Sequence, residues 1–272
     1  MPELPEVEIV CRNLAKMIKP GEKIQQWSFF RADLRFKIPK TQLRQLIGHP
    51  LIKIERRAKY ILFNFGDYIM ISHLGMTGSW RLEGRDWERK KHDHLAFQIS
   101  AHRFFVFEDP RRFGFIELIK TVDLQKRFQG LGVEPLDELT DFKQLSAVFR
   151  RITSPIKTAI MNQKYLVGVG NIYASEVLFR VGVNPLKSCS KLTLEQYSEI
   201  WNEIKKVLSE AIAEGGSTIK NYRNTFGEKG SFQNKFLVYG RKAQTCIKCH
   251  TKIKSIVQAG RSTFWCPSCQ KK

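Results

Sequence analysis

The first eight residues, Met1 to Glu8, carry the residue types needed for chemistry at a sugar. If Met1 is removed, as expected before a small second residue, the chain begins with the secondary amine of Pro2. An α-amino group titrates near ~8, so part of it is unprotonated at neutral pH, and its attack on a sugar C1′ would give an iminium. Glu3 and Glu6 stand beside Pro2, and they could transfer protons to and from that sugar.

The same residues also fit a plain helix start. Pro5 suits a first helical turn, and the acidic side chains of Glu6 and Glu8 would favour the positive end of the helix dipole. From residue types alone, this structural interpretation is the stronger one for Glu6 and Glu8. It assigns no role to Pro2 and Glu3.

Four of the six cysteines form two Cys-x-x-Cys pairs near the C-terminus, Cys246/Cys249 and Cys266/Cys269. This spacing is typical of a tetrahedral zinc site, and four thiolates leave no position for a catalytic water. We therefore predict one structural zinc ion that holds a small β-hairpin, whose tip would present Arg261 to a phosphate. An unmetallated set of redox pairs is the weaker alternative.

The charge balance indicates the kind of partner. The 272 residues include 46 Lys plus Arg against 26 Asp plus Glu, a net charge of +20. Such an excess predicts a polyanion bound with salt-sensitive affinity, and an anionic membrane is the weaker alternative because no long basic amphipathic helix is present. An acidic amino terminus and the lack of a long apolar run predict a soluble cytosolic protein, and no pattern suggests a coiled coil, so we expect a monomer.

The elements that must position these residues change type along the chain. Apolar residues at helical spacing predict a first helix from Pro5 to Pro20. Alternating runs between Ile24 and Ile119 predict short antiparallel strands in a sandwich or barrel. After a linker at 130–136 the pattern becomes helical. Predicted helices cover 141–151 and 155–163, and a longer one begins at the cap Thr193 and ends at Gly215-Gly216.

Two turns between predicted strands carry residues that suggest function. Arg56-Arg57-Ala58-Lys59-Tyr60 could contact phosphates and supply Lys59 as a proton donor near Pro2, but a solvated edge strand is the stronger interpretation from residue types alone. In His73-Leu74-Gly75-Met76-Thr77-Gly78, two glycines shape a turn that would push Met76 outward. Met76 could wedge into a base stack, although methionine more often fills a core.

Two later turns add polar and aromatic groups. His92-Asp93-His94 could bind a metal, but it lacks partners at ligand spacing, so a phosphate contact or a structural hydrogen bond is favoured. The turn at 108–114 offers Arg111 and Phe113 together. Arginine can read a base edge while phenylalanine stacks or intercalates.

The helical half contains two further candidate segments. A glycine-rich turn leads into a helix with Asn171 at its predicted N-cap, where backbone amides and Lys157 could bind a phosphate. A plain helical corner is the alternative. The polar, glycine-rich stretch 217–231 is predicted to be a mobile loop that could close over a ligand.

Over its whole length the chain resembles the bacterial formamidopyrimidine-DNA glycosylase family. The resemblance rests on an ordered series of motifs: Pro-Glu-Leu-Pro-Glu-Val-Glu at Pro2, Arg-Arg-Ala-Lys-Tyr at Arg56, His-Leu-Gly-Met at His73, Asp-Pro-Arg-Arg-Phe-Gly at Asp109, Gly-Asn-Ile-Tyr at Gly170, and the cysteine hairpin with Ala-Gly-Arg at Ala259.

The resemblance implies an α+β protein of three parts: an N-terminal catalytic β-sandwich with flanking helices (1–133), a helical helix–two-turn–helix DNA-binding domain with a lesion loop (134–232), and a C-terminal zinc-finger β-hairpin held by four cysteines (237–272). DNA would lie in a basic cleft between lobes. The implied partner is double-stranded DNA containing oxidised bases or abasic sites, and the implied location is the bacterial cytoplasm, at the nucleoid.

The resemblance also implies an activity. Proteins similar to this chain excise oxidised purines such as 8-oxoguanine and formamidopyrimidines and then cut the strand. The damaged nucleotide must be flipped out, which costs roughly a few kcal/mol of unstacking. Pro2 would form a Schiff base at C1′ that permits β- and δ-elimination without a catalytic metal or redox cofactor.

The resemblance also implies roles for individual residues at matching positions. Glu3 would be the general acid at the sugar, Glu6 a support of that site, and Lys59 and Arg261 the proton donors for β- and δ-elimination. Met76, Arg111 and Phe113 would fill the gap left by the flipped nucleotide, with Arg111 facing the orphaned cytosine. Further DNA contacts are implied for His73, His92, Arg151, Lys157, Asn171, Tyr239 and Arg261. The loop residues Ser217, Thr218, Ile219 and Tyr222 would read the damaged base, largely through backbone amides.

Three points stay open at this stage. Arg150 and Arg151 stand where family members often carry lysines, so either could take that phosphate. The sister glycosylases that act on oxidised pyrimidines usually begin Pro-Glu-Gly-Pro-Glu, whereas Leu4 here favours the purine type. A non-catalytic zinc-ribbon DNA-binding protein would explain the charge and the cysteines but not the Pro-Glu amino terminus.

Overall fold

The computed structural model describes residues 2–140, 142–217 and 230–271. The helices are α1 Leu4–Met17, α2 Lys40–Arg44, α3 Leu124–Phe128, α4 Phe142–Arg150, α5 Ile156–Ile160, α6 Asn171–Arg180 and α7 Leu194–Ala213. The strands are β1 Gln26–Phe29, β2 Lys53–Arg57, β3 Tyr60–Asn64, β4 Tyr68–His73, β5 Ser79–Glu83, β6 Asp93–Ser100, β7 Arg103–Glu108, β8 Phe115–Lys120, β9 Lys254–Gln258 and β10 Arg261–Trp265. The predicted α+β class is confirmed.

The described residues group into two compact units. The first contains those of Met1–Gln129 and Gly215–Ser231, and the second contains those of Gly130–Glu214 and Phe232–Lys272. The residues after Gly215 thus return to the first unit, whereas the sequence-based division assigned them to the helical domain. That three-domain division stays a prediction.

The first unit is built on two four-stranded antiparallel sheets, in the orders β1-β6-β7-β5 and β2-β3-β4-β8. Alternate residues of β6, Leu95, Phe97 and Ile99, are buried, as their period of two predicts. The ring centroid of Phe63 on β3 lies 5.8 Å from that of Trp80 on β5 and 6.2 Å from that of Phe97. The two sheets therefore share one core, which confirms the predicted sandwich.

Helix α1 closes one part of this core. Its buried residues Val7, Val10 and Leu14 belong to the same cluster as the sheet side chains, and the helix packs against β2 and β3. Pro5 lies in its first turn, as predicted, and Glu3 is its N-cap. Because burial of this apolar face fixes the helix, the amino-terminal segment before it has a defined place.

The second unit is helical with a terminal hairpin. Helix α7 begins with the predicted capping box: the Gln196 N–H donates to Thr193 Oγ1 and the Thr193 N–H donates to Gln196 Oε1, both at 3.2 Å. Helix α5 ends at Ile160, three residues before the predicted Gln163. The prediction of Asn171 as an N-cap is wrong, because Gly170 occupies the cap in an extended conformation and Asn171 is the first helical residue.

Strands β9 and β10 form the predicted antiparallel hairpin, joined by a two-residue turn at Ala259-Gly260. Both turn residues have positive φ, 48° and 72°, a combination that matches the twist of the flanking strands. Arg261 follows the turn directly and is exposed. Among the described residues, no helix combines the length and the hydropathy that crossing a bilayer requires.

Candidate functional site

In the first unit, the start of α1 brings together three of the five predicted catalytic residues, Pro2, Glu3 and Glu6. Pro2 is buried, and Glu3 and Glu6 are 3% and 2% exposed. The Glu3 N–H donates to Glu6 Oε2 at 2.8 Å, while Glu6 Oε1 accepts from the Ser217 N–H at 2.8 Å and from Ser217 Oγ at 2.9 Å. Both oxygens of Glu6 therefore hold the chain in place, which suits a supporting group better than a proton carrier.

Ser217 is the only lesion-loop candidate among the described residues. Its amide and hydroxyl are directed to Glu6, so in this structure it anchors the segment to α1. Gly216 before it has φ +77°, and a Cβ there would lie 3.2 Å from Glu6 Oε1. Glycine is thus required for the approach. Thr218, Ile219 and Tyr222 lie outside the described residues.

The hairpin β2–β3 carries Lys59 in its two-residue turn, Ala58-Lys59. Ala58 has φ +53°, a left-handed conformation that is strained for alanine, and Lys59 is only 8% exposed. Arg56 braces the turn, because its Nη1 donates to the Ala58 carbonyl at 2.9 Å and its Nε donates to Glu8 Oε2 on α1 at 2.8 Å.

The edge-strand interpretation fits the strand β2 but not the side chain of Arg56. Strand β2 does lie at the edge of its sheet, and Lys53 and Glu55 on it are exposed. The Arg56 side chain, however, is 10% exposed and paired to Glu8. Burial alone would raise the pKa of Glu8, but hydrogen bonds from Arg12 and Arg56 outweigh it and lower that pKa.

Two turns at one end of the sandwich carry the residues predicted to enter DNA. Met76 is half-buried in the turn after β4, and Phe113 is 44% exposed in the turn before β8. The Arg111 guanidinium lies 4.8 Å from the Phe113 ring centroid. A Cβ on Gly75, whose φ is +61°, would lie 2.3 Å from the Phe113 carbonyl carbon, so the two turns touch through their backbones.

His73 lies at the end of β4, next to the first of these turns. Its Nδ1 accepts from the Gly75 N–H at 3.0 Å, and its ring stacks on Phe115 with centroids 5.3 Å apart. Burial, together with the nearby cation of Lys59, lowers the pKa of His73 to about 4. The ring is therefore neutral at pH 7 and carries its proton on Nε2, which can donate to a phosphate.

The His92-Asp93-His94 stretch is largely structural. Asp93 is fully buried and accepts from Arg81 Nη2 at 2.7 Å on both oxygens, and His94 Nε2 lies 2.8 Å from the Asp109 carbonyl oxygen. His92 is half-buried and accepts the Asp109 N–H through its own carbonyl at 3.1 Å. Within the described ranges neither histidine belongs to a cluster that could hold a metal.

In the second unit, Lys157 makes hydrogen bonds that connect the elements of the candidate phosphate site. It is 2% exposed, and its Nζ donates to Asn171 Oδ1 at 2.6 Å and to Thr263 Oγ1 at 2.7 Å. Asn171 Nδ2 in turn donates to the Ser262 carbonyl at 2.9 Å. The buried ammonium thus ties α5 and α6 to the hairpin that presents Arg261. Arg151 and Arg261 are exposed.

Glu176 is a buried carboxylate next to a candidate DNA contact, and sequence reasoning missed it. It is fully buried on α6 and accepts three consecutive backbone N–H groups, those of Leu237, Val238 and Tyr239, at 2.8, 3.0 and 2.8 Å. Burial raises its pKa even though these hydrogen bonds oppose the shift. Glu176 therefore positions half-buried Tyr239. A lone carboxylate among apolar helix positions was the signal that could have revealed it.

The four predicted metal ligands come together. The Sγ atoms of Cys246, Cys249, Cys266 and Cys269 all lie within 4.8 Å of one another, and they form the only such cluster in the part of the chain described. Two of the Sγ–Sγ distances are 3.9 and 3.4 Å. A tetrahedron with Zn–S of about 2.3 Å has edges of about 3.8 Å, so the set fits one zinc ion with no open position.

Three segments of the chain match known family models. Residues 1–116 match the formamidopyrimidine-DNA glycosylase N-terminal domain, residues 131–223 its H2TH domain, and residues 243–272 the zinc finger found in FPG and IleRS. The last match, together with the sulfur geometry, confirms the structural zinc site.

Relatives match over their full length. The formamidopyrimidine-DNA glycosylase of Bdellovibrio bacteriovorus is 44% identical and that of Gluconobacter oxydans 40% identical, each covering 100% of both chains. The Lactococcus lactis Fpg in complex with abasic-site DNA superimposes with a TM-score of 0.92 at 37% identity, covering 99% of this chain and 100% of that one. A MutM complex with carbocyclic 8-oxo-G DNA gives 0.91 at 38% identity, covering both chains fully. The chain therefore belongs to the formamidopyrimidine-DNA glycosylase family of DNA-repair enzymes.

Proposed function

We propose that this protein excises oxidised purines, such as 8-oxoguanine and formamidopyrimidines, from duplex DNA and then cuts the strand at the abasic site by β,δ-elimination. The observation that carries the proposal is the buried amino-terminal segment, in which Pro2 and Glu3 precede a helix whose first turn is tied down by Glu6. Relatives with the same full-length architecture are formamidopyrimidine-DNA glycosylases, and one was solved with abasic-site DNA.

The Pro2 nitrogen is the proposed nucleophile once Met1 is removed. It attacks C1′ while the bond from C1′ to the base breaks and the base leaves with a proton. Glu3 donates a proton to the sugar oxygen, which opens the ring and leaves an iminium between Pro2 and C1′. Burial of Pro2 and Glu3 favours this step, because a dry site strengthens interactions with developing charge.

Strand cleavage follows from the iminium. The positive charge acidifies the C2′ proton, whose loss expels the 3′ phosphate, and a second elimination expels the 5′ phosphate. Lys59 and Arg261 are the proposed proton donors for the two leaving groups. Water then releases the sugar fragment and regenerates Pro2, so the reaction needs no redox partner, and the zinc ion serves only the fold of the hairpin.

DNA contacts divide between the units. In the first unit, His73 and His92 are proposed phosphate donors, and Met76, Arg111 and Phe113 are proposed to fill the gap left by the flipped nucleotide. In the second unit, exposed Arg151 and Arg261 and half-buried Tyr239 are proposed to hold phosphates around it, with Asn171 oriented by buried Lys157. We further propose a monomer in the bacterial cytoplasm, at the nucleoid.

We propose narrower roles for two residues in this scheme, on the basis of their hydrogen bonds. Ser217 directs its amide and hydroxyl to Glu6, so we assign it the anchoring of the lesion loop rather than base reading. Base reading would then rest on Thr218, Ile219 and Tyr222. Lys157 directs its ammonium to protein oxygens, so its proposed role is to orient Asn171 and the hairpin.

The deciding experiment is borohydride reduction in the presence of an abasic duplex. We expect a covalent DNA adduct, mapped by peptide mass to Pro2, and a loss of the adduct when Met1 is retained. Pro2→Gly should react much more slowly, and Pro50→Gly serves as a proline control far along the sequence. Binding without any adduct would favour the non-catalytic zinc-ribbon protein instead.

The substrate class needs a second measurement. Excision from 8-oxoguanine:C and thymine-glycol:A duplexes should favour the purine lesion, because Leu4 and the set Met76, Arg111 and Phe113 resemble the purine enzymes. A preference for thymine glycol would assign the chain to the sister type while leaving the Pro2 chemistry intact.

A further inference from the structure

The two turns that carry Met76 and Arg111 are joined by a side-chain pair that no step of the proposed reaction uses. Thr77 Oγ1 donates to Asp109 Oδ1 at 2.5 Å and accepts the Arg111 N–H at 3.1 Å. The same N–H also lies 3.3 Å from Asp109 Oδ1. One hydroxyl therefore connects the residue after Met76 to the backbone of Arg111.

Asp109 is itself firmly held. It is fully buried, its Oδ2 accepts the Gly114 N–H at 2.7 Å, and its backbone carbonyl lies 2.8 Å from His94 Nε2. Its carboxylate thus has partners in both turns, Thr77 in one and Gly114 in the other. A buried carboxylate that gathers backbone N–H groups fixes the loop that donates them.

Arg111 depends on this arrangement because its backbone lies in a strained turn, while its side chain contacts only the Phe113 ring among the interactions described above. Its side chain is exposed, and the next residue, Arg112, has φ +59°, a strained conformation outside glycine. The backbone of the turn is held in that conformation by the Arg112 N–H to the Asp109 carbonyl at 3.2 Å and by the Arg111 N–H to Thr77. Loss of the Thr77 hydroxyl leaves the Arg111 N–H with only the longer contact to Asp109.

We propose that Thr77 and Asp109 are a positioning pair that sets the place of Arg111 and thereby the discrimination of the base opposite the lesion. This inference rests on the proposed function, in which Arg111 faces the orphaned base. Neither residue touches the reacting atoms, so the pair acts through Arg111. Because Thr77 follows Met76 directly, it also ties the two gap-filling side chains into one unit.

The test compares Thr77→Val, which keeps the shape but removes the hydroxyl, with Thr77→Ser, which keeps the hydroxyl. The measurement is the single-turnover rate of 8-oxoguanine excision opposite C divided by the rate opposite A. Because both rates are measured on the same preparation, their ratio does not depend on the fraction of active protein or on a general loss of stability. We expect Thr77→Val to lower the ratio about fivefold to tenfold, the effect of one lost hydrogen bond, and Thr77→Ser to retain it.

A double-mutant cycle shows whether the pair acts through Arg111. In an Arg111→Ala background, Thr77→Val should leave the ratio unchanged, since the side chain that it positions is gone. If Thr77→Val does not fold, Thr77→Ala takes its place in both arms. An unchanged ratio in the single variant, or an equal fall in the Arg111→Ala background, overturns the proposal.

The wild-type result distinguishes a failure of the proposed function from a failure of the positioning pair. A wild type that does not excise 8-oxoguanine opposite C contradicts the proposed function itself. A wild type that excises it but ignores the opposite base, or that prefers C while Thr77→Val and Thr77→Ser behave alike, overturns only the positioning pair.

Discussion

Each unit of the protein has a cation of proposed function at a two-residue hairpin turn, and the two hairpins hold that cation by different means. In β2–β3 the cation is Lys59, inside the turn and buried, and the turn is braced by Arg56. In β9–β10 the cation is Arg261, directly after the turn and exposed, and four cysteines hold the base of the hairpin. Both turns begin with a left-handed alanine, Ala58 and Ala259.

Both cations are proposed proton donors to leaving phosphates, but only Arg261 is also proposed to hold a phosphate of the bound DNA, and this second role accounts for the difference. A proton donor at a sugar benefits from a dry and fixed site, which packing against a helix supplies. An arginine that meets a phosphate works best at the surface, where it can displace counterions. A small hairpin at the surface has little core of its own, so a metal ion supplies the missing stability.

The largest effect expected from this comparison is that of metal removal. Chelation, or Cys249→Ala, should unfold the second hairpin and leave the first intact, because structural zinc contributes on the order of 10 kcal/mol to folding. Fluorescence of Trp265 on β10 and DNA affinity report the change. Cys189→Ala is the matched control, since Cys189 is buried away from the cluster. Unaltered Trp265 emission after complete chelation would contradict the assignment.

Next in size is the brace of the first hairpin. Arg56→Gln should lower the free energy of unfolding by about 2 kcal/mol, because it leaves partly buried Glu8 with only exposed Arg12 as a partner and removes the donor to the Ala58 carbonyl. Urea unfolding at pH 7 measures the change. Lys53→Gln removes an exposed cation from the same strand, paired to Glu55, and should cost less than about 0.5 kcal/mol. Equal costs for the two variants would show that Arg56 is not a brace.

His73, paired with Tyr60 directly after the turn of the first hairpin, should give that unit a pH dependence. Its folded pKa of about 4 lies below the unfolded value of 6.5, so its contribution is fully present above pH 6.5 and is lost as the pH falls toward 4. Between pH 7.5 and 5 the loss is about 2 kcal/mol. Urea unfolding of wild type and His73→Asn at both pH values isolates it. A wild-type slope equal to that of the variant would contradict the burial of a neutral ring.

The smallest expected effect is a difference in stability between glycine substitutions at Ala259 and at Ala58. Ala259→Gly relieves a left-handed alanine that is exposed, so it should stabilise the second hairpin by up to about 1 kcal/mol. Ala58→Gly relieves the same strain but removes a methyl group that is 1% exposed, so the net change should be close to zero. Thermal unfolding of both variants decides this, and an equal gain at both positions would mean that burial of Ala58 contributes nothing.

Residues whose roles depend on local spacing could be predicted from the sequence. The cysteine pairs, the capping box at Thr193 and the alternating strands each encode their structure within a few residues, and the structure confirms them. Residue type alone suggested Pro2 and Glu3 as catalytic candidates, whereas their specific roles, and that of Arg261 as a proton donor, followed only from the family motifs. The order of the strands could not be read, because β1 pairs with β6 across about seventy residues by a register that no local pattern specifies.

Partners distant in sequence were missed for a related reason. Lys157 was expected to face a phosphate, but its ammonium binds Asn171 and Thr263, and the latter lies 106 residues away. Asn171 Oδ1, the kind of atom that caps a helix, accepts from Lys157 instead, and Gly170 is the cap residue. Glu176 and Asp109 likewise acquire their roles only when the chain brings backbone N–H groups to them. The type of a residue shows that its charge needs a partner when it is buried, but it does not identify that partner.

The hydrogen bonds between Glu6 and Ser217 have a consequence for how the protein is made. The two residues are 211 positions apart, so a ribosome must complete most of the chain before the first helix can form these hydrogen bonds. Until then the Glu6 carboxylate lacks donors that it has in the finished fold, and a nascent chain cannot yet have an assembled amino-terminal site. Competence to cut DNA should thus be acquired late in synthesis, after the helical unit has emerged.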